Sequence, residues 1–114
     1  MFCYQCEQTA GCTGCKGAAG ACGKTANTAQ LQDALTGSLI SLARASVGNE
    51  LTASTHRTMV EGLFTTITNV AFDDSAIEAQ IKKTQAEVTK LVPGCAACGA
   101  ARLFVTCLSL LHPA

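Results

Sequence analysis

No tryptophan occurs in this chain, proline appears twice, and aromatic residues make up 4% of its 114 residues. So few rings offer little on which nucleic-acid bases could stack, and basic residues nowhere cluster with the aromatics present. An excess of one charge is missing as well. Eight Lys and Arg side chains balance eight Asp and Glu, so no net field draws in nucleic acid or an anionic membrane. There is also no membrane-spanning run: the most apolar stretch, residues 100–111, contains Arg102 and falls short of the roughly 20 residues a bilayer requires. That stretch reads as core or interface. The opening residues MFCYQCEQ lack a basic n-region, an apolar h-region and a small-residue cleavage site, which points to a cytoplasmic chain without a secretory signal.

What the sequence does have is cysteine, eight in all. Cys3, Cys6, Cys12 and Cys15 open the chain with Cys22 following, and Cys95 and Cys98 stand near its end with Cys107 beyond them. Thiol density of this kind serves disulfides, zinc or an iron-sulfur cluster. Disulfides need an oxidising compartment that the N-terminus does not indicate. Four thiolates would satisfy either remaining cofactor. The paired spacing Cys3-x2-Cys6 and Cys12-x2-Cys15 suits a tetrahedral zinc site as well as a cluster, so spacing alone leaves zinc open.

Residues 1–26 carry glycine at 11, 14, 17, 20 and 23. With no proline in the segment, a collagen helix is excluded. Glycine at this density permits close backbone approach, so that peptide N–H groups can point at sulfur while the chain wraps a cofactor. The segment is read as cofactor-binding.

From residue 27 the pattern turns helical. Asn27 and Gln30 suggest a capping box, Leu31, Leu35, Leu39 and Leu42 recur at helical spacing, and Gly48 supplies a stop. A second amphipathic stretch begins near Thr52 or Ser54 and carries Met59, Val60, Leu63, Phe64, Ile67 and Val70 as far as the Asp73-Asp74 break. A third opens with the capping-box pattern Ser75-x-x-Glu78, continues through Ile77, Ile81, Val88 and Leu91, and ends at Pro93-Gly94. These three helices occupy residues 27–92.

Residues 93–114 read as a cysteine-containing turn followed by a fourth helix over 96–111. That helix is apolar on nearly every side and so calls for a central position or a second subunit, which makes it a candidate homodimer surface. The expected fold is all-α: an antiparallel bundle of about four helices, preceded by a Cys/Gly-rich loop, in a single domain of residues 1–114.

The opening MFCYQCEQT, the run Cys22-Gly23-Lys24-Thr25, the stretch from Ala29 to Asp33, and the segment Phe64-Thr65-Thr66-Ile67-Thr68-Asn69-Val70-Ala71-Phe72-Asp73 together resemble the start of the hybrid cluster proteins, also called hydroxylamine reductases or prismane proteins. The resemblance runs in order over about residues 1–90. It implies an iron-sulfur cluster, a 4Fe-4S cubane or in some members a two-iron centre, beside a helical bundle, with Cys3, Cys6, Cys15 and Cys22 as ligands. Two, eight and six residues separate these four. Cys12 falls outside the quartet. Full-length members are several times longer and draw the His, Glu and Cys ligands of their catalytic cluster from later domains. Hydroxylamine or nitric oxide chemistry by this chain alone is therefore not expected.

Cys12, Cys95, Cys98 and Cys107 number enough for a second four-thiolate site or an enlarged first one. Cys98 and Cys107 would point to opposite faces of one continuous helix at roughly 100° per residue. A second cluster, a cluster shared across a dimer, and a redox dithiol with Cys107 buried as a small apolar side chain are the three readings of this tail. Gly20-Ala21-Cys22-Gly23-Lys24-Thr25 imitates the end of a phosphate loop but has Ala18 where the first glycine is required. His56 and His112 read as solvated.

The functional expectation is a small iron-sulfur protein that carries electrons and works with a redox partner protein. The alternatives are a multinuclear iron-sulfur enzyme reducing a small, nitrogen-containing compound, and a redox or metal sensor.

Overall fold

The computed structural model describes residues 1–92. The expected fourth helix, with Cys95, Cys98 and Cys107, lies outside these residues. Three helices follow the cysteine segment: α1 (Ala26–Ser46), α2 (Ala53–Ile67) and α3 (Asp74–Leu91). Among the described residues there is no strand, only two isolated bridges within the cysteine segment. The all-α expectation holds.

The helices begin where side chains can satisfy their free N–H groups. Thr25 caps α1 by accepting from the Thr28 amide, Thr52 caps α2 by accepting from the Thr55 amide, and Asp73 caps α3 by accepting from the Ser75 and Ala76 amides. The Thr52 start agrees with expectation. The boxes Asn27/Gln30 and Ser75/Glu78 do not cap their helices: in each case a residue two positions earlier takes the role. Asn27 instead donates to Asp74 Oδ2 at 2.6 Å, and the Ser75 hydroxyl donates to the true cap, Asp73, at 2.6 Å. Past the end of α1, Gly48 takes a φ of +77°, a conformation glycine adopts without penalty.

The helices run up, down and up. Asp74 at the start of α3 binds Asn27 and Thr28 at the start of α1, so these two helices are parallel. Between them α2 runs the other way, with Thr55 reaching Glu87 and Gln80 reaching the Thr58 carbonyl. Leu35, Leu39 and Ile77 form the apolar centre, with Leu31 and Ile81 packed against it. The predicted leucine stripe of α1 is thus the core stripe.

The apolar stripe of α2 is not its buried side. Its buried side is Thr55, Thr58, Gly62 and Thr66, while Val60, Leu63, Phe64 and Ile67 are exposed. Two physical features allow this inversion. Gly62 lets α2 approach α1 so closely that a Cβ there would lie 2.6 Å from Leu39 Cδ2. Buried threonines can also retire their hydroxyls on helix carbonyls, as Thr66 does on Leu63 at 3.0 Å, leaving their methyl groups to pack. The apolar face so exposed continues into Val70.

Candidate metal centre

The cysteine segment is held by its backbone. Cys3 and Cys15 form an antiparallel bridge, exchanging N–H···O bonds of 3.0 and 2.9 Å. Glycine at position 14 is required for this pairing, because a Cβ there would lie 2.7 Å from the Cys3 carbonyl oxygen. The amino group of Met1 adds a bond of 3.0 Å to the Gly17 carbonyl. Cys6 opens a single 3-10 turn, Glu7–Thr9, whose Thr9 amide and hydroxyl both return to the Cys6 carbonyl.

The other two cysteines sit at turns. Cys12 is exposed and adopts a φ of +60° directly after Gly11 at +72°. Cys22 lies in a tight loop in which the Gly20 amide bonds to the Lys24 carbonyl at 2.8 Å and the Gly23 amide to the Gly20 carbonyl at 2.9 Å. The second bridge, Ala19 with Thr25, closes this loop onto the α1 cap. Cys3, Cys6 and Cys15 are half-buried.

Two donors point at cysteine sulfur. The Ala21 amide is 3.4 Å from Cys15 Sγ, and the Lys24 ammonium is 3.4 Å from Cys3 Sγ. Contacts of this type stabilise sulfur in its anionic, metal-bound form, so the donor set fits a thiolate-bound cluster. Among the described residues, no three Cys, His, Asp or Glu groups gather around a single ion position. Within the segment the backbone pairs Cys3 with Cys15; Cys6 and Cys22 stand on the flanking turns.

Lys24 is the residue that the sequence pattern did not single out, except as part of a false phosphate loop. It is 1% exposed. Its ammonium reaches Cys3 Sγ and Gln5 Oε1, each at 3.4 Å, and lies 5.4 Å from the centre of the Phe72 ring. Phe72 is brought there by the loop before α3, which Gln32 anchors through a 2.8 Å bond to the Ala71 carbonyl. Nearby Asp33 has its carboxyl pushed above its ordinary value by desolvation, while the Lys24 charge pulls it back down. A lysine two positions after a cysteine in a glycine turn is the sequence signal that could have marked it; its burial comes from the fold.

His56 is exposed on α2, as expected for a solvated side chain. No helix among the described residues is long and apolar enough to cross a membrane.

Similarity to known proteins shows the family. The model of the Prismane/CO dehydrogenase family matches residues 1–106. Hydroxylamine reductase of Acetivibrio thermocellus is 42% identical over 87 residues, covering 73% of this chain and 16% of the relative. That of Clostridium perfringens is 42% identical over 90 residues, covering 74% and 16%, and that of Solidesulfovibrio magneticus is 45% identical over 81, covering 64% and 14%. No solved structure matches. The matched part of the chain therefore spans about a sixth of the length of these relatives, at their N-terminal end. Its cysteine segment and the helices behind it belong to the Prismane/CO dehydrogenase family, and membership in that family implies an iron-sulfur cluster.

Proposed function

We propose that Cys3, Cys6, Cys15 and Cys22 hold an iron-sulfur cluster of the 4Fe-4S type and that the chain is a one-electron carrier. The observation behind this reading is the Cys3–Cys15 pairing, with an amide N–H and an ammonium directed at its two sulfurs. When bound, the cluster would supply reversible transfer of single electrons with little change of geometry. The chain's own part is to ligate through thiolates, to direct N–H donors at them, and to fix the loop on the rigid start of α1 through Thr25. No acid-base pair is needed. A carrier of this kind works with a redox partner protein, which accepts or supplies the electron.

The part of the hydroxylamine reductases that this chain matches is about a sixth of their length, and their activity is not assigned to it. The test is iron, sulfide and zinc per chain after anaerobic purification, with electron paramagnetic resonance of the reduced state. About four iron and four sulfide per chain are expected for one cubane. Zinc without sulfide would overturn the reading. Cys6→Ala should remove most of the cluster absorbance, whereas Cys12→Ala should leave it intact; full iron and sulfide in Cys6→Ala would refute the ligand assignment.

A further inference from the structure

A buried ammonium is costly unless an opposite charge or strong acceptors surround it. Lys24 has no carboxylate at ion-pair range: the salt bridges of the described residues are Lys83–Glu61 and Lys90–Glu87. Its surroundings are the sulfur of Cys3, the amide oxygen of Gln5 and the face of Phe72. A neutral oxygen and a ring face leave most of a positive charge uncompensated. Asp33 is the carboxylate that feels the Lys24 charge, without hydrogen-bonding to it; of the groups in direct contact with the ammonium, Cys3 is the one that becomes anionic on binding metal.

The position of Lys24 is also built rather than incidental. Its carbonyl accepts from Gly20 and its neighbour Thr25 caps α1. Its Cβ would lie 3.3 Å from a Cβ at position 20, so glycine is what makes room for it. Phe72 covers the ammonium from the other side, held there by the Gln32 anchor. Five separate features thus bring one cation to one sulfur and shield it from water.

We infer that Lys24 is the charge-compensating residue of the cluster and sets its reduction potential through the hydrogen bond to Cys3. Were the cluster bound, one added electron would make it and its four thiolates more negative by one charge. A fixed cation against a ligand sulfur, shielded from solvent, favours that reduced state over the oxidised one. Lys24 therefore raises the potential. It does so without binding iron, transferring a proton or touching a substrate. The electron comes from an external one-electron reductant, dithionite in the test below. This inference rests on the proposed cluster at Cys3, Cys6, Cys15 and Cys22.

The test is a mediated redox titration of the purified, cluster-loaded chain, followed by electron paramagnetic resonance, with iron and sulfide measured on every sample. Lys24→Met keeps the long apolar stem and removes the charge. It should load iron and sulfide as the parent chain does, yet show a clearly more negative potential. Lys24→Arg should recover part of the shift. An unchanged potential in a fully loaded Lys24→Met chain would overturn the inference and leave the cluster standing. A parent chain without iron and sulfide would overturn both.

Because Lys24→Met could fail to fold, a second measurement uses the unaltered residue. Pulsed electron paramagnetic resonance of the reduced chain with isotopically labelled lysine should detect a lysine nitrogen coupled to the cluster. Carried out in Lys16→Ala, which removes the exposed lysine beside Cys15, the coupling should persist. Its loss there would refute the role of Lys24.

Discussion

The two regions of the described chain, residues 1–25 and the helices behind them, are stabilised in different ways. From α1 to α3 the order comes from burial: Leu35, Leu39 and Ile77 pack together, caps close each helix start, and long-range hydrogen bonds link the elements. Residues 1–25 bury one large side chain completely, Lys24, and none of their apolar residues. Their order rests on a few backbone bonds around cysteine and glycine. A segment with so little apolar burial cannot offset its conformational entropy from packing alone, so a metal cofactor is the natural source of the remaining stabilisation.

Metal removal is the sharpest way to break that contrast. In the chelated chain, hydrogen exchange at the Cys3 and Cys15 amides should accelerate to nearly unprotected rates while the amides of α1 keep their protection. Equal loss in both regions would mean that the bundle, too, depends on the cofactor. Acting from the other side, Leu35→Ala should destabilise the bundle by about 2–5 kcal/mol, because a fully buried leucine leaves a cavity. Denaturant unfolding followed by circular dichroism checks this. A change below about 1 kcal/mol would show that the core lies elsewhere.

The smallest effect concerns acid. Glu87 is held below its ordinary value of 4.5 chiefly by its hydrogen bond from Lys90, with Thr55 and Ser54 adding to the shift against the opposing effect of burial. A lowered folded pKa means that the unfolded chain binds the proton more readily. The stabilisation is therefore complete above the unfolded value and is lost as pH falls through the folded one. Asp73, lowered first by its bond from the Ser75 hydroxyl and then by that from the Ala76 amide, acts in the same direction. The denaturation midpoint should fall on acidification below about pH 4.5, and Glu87→Gln should flatten that slope. An unaltered slope would show that other carboxylates govern the acid limb.

How much of this was legible beforehand differs by residue type. The core stripe of α1 could be read because leucines at helical spacing have few alternative uses. Thr52 and the Gly48 stop were legible for similar local reasons. The buried side of α2 was not legible: an apolar stripe shows that a face wants to be dry but not which neighbour covers it, and Gly62, with Thr55 bonded to Glu87 and Thr66 to its own helix, decided the choice. The caps of α1 and α3 shifted by two residues because Asn27 found a long-range partner in Asp74, and Asp73 outcompeted Ser75 for the amides.

The amino-acid sequence by itself determined the cysteine inventory, the helical class and the family resemblance, since each resides in residue type and local spacing. Tertiary structure alone decided which cysteines pair through the backbone, which face of α2 is buried, and that Lys24 is sequestered beside Cys3. Those outcomes depend on segments far apart in the chain, and in particular on the loop bearing Phe72 folding back over the end of the cysteine segment. A lysine in a sequence reads as a solvated charge until a fold removes the solvent.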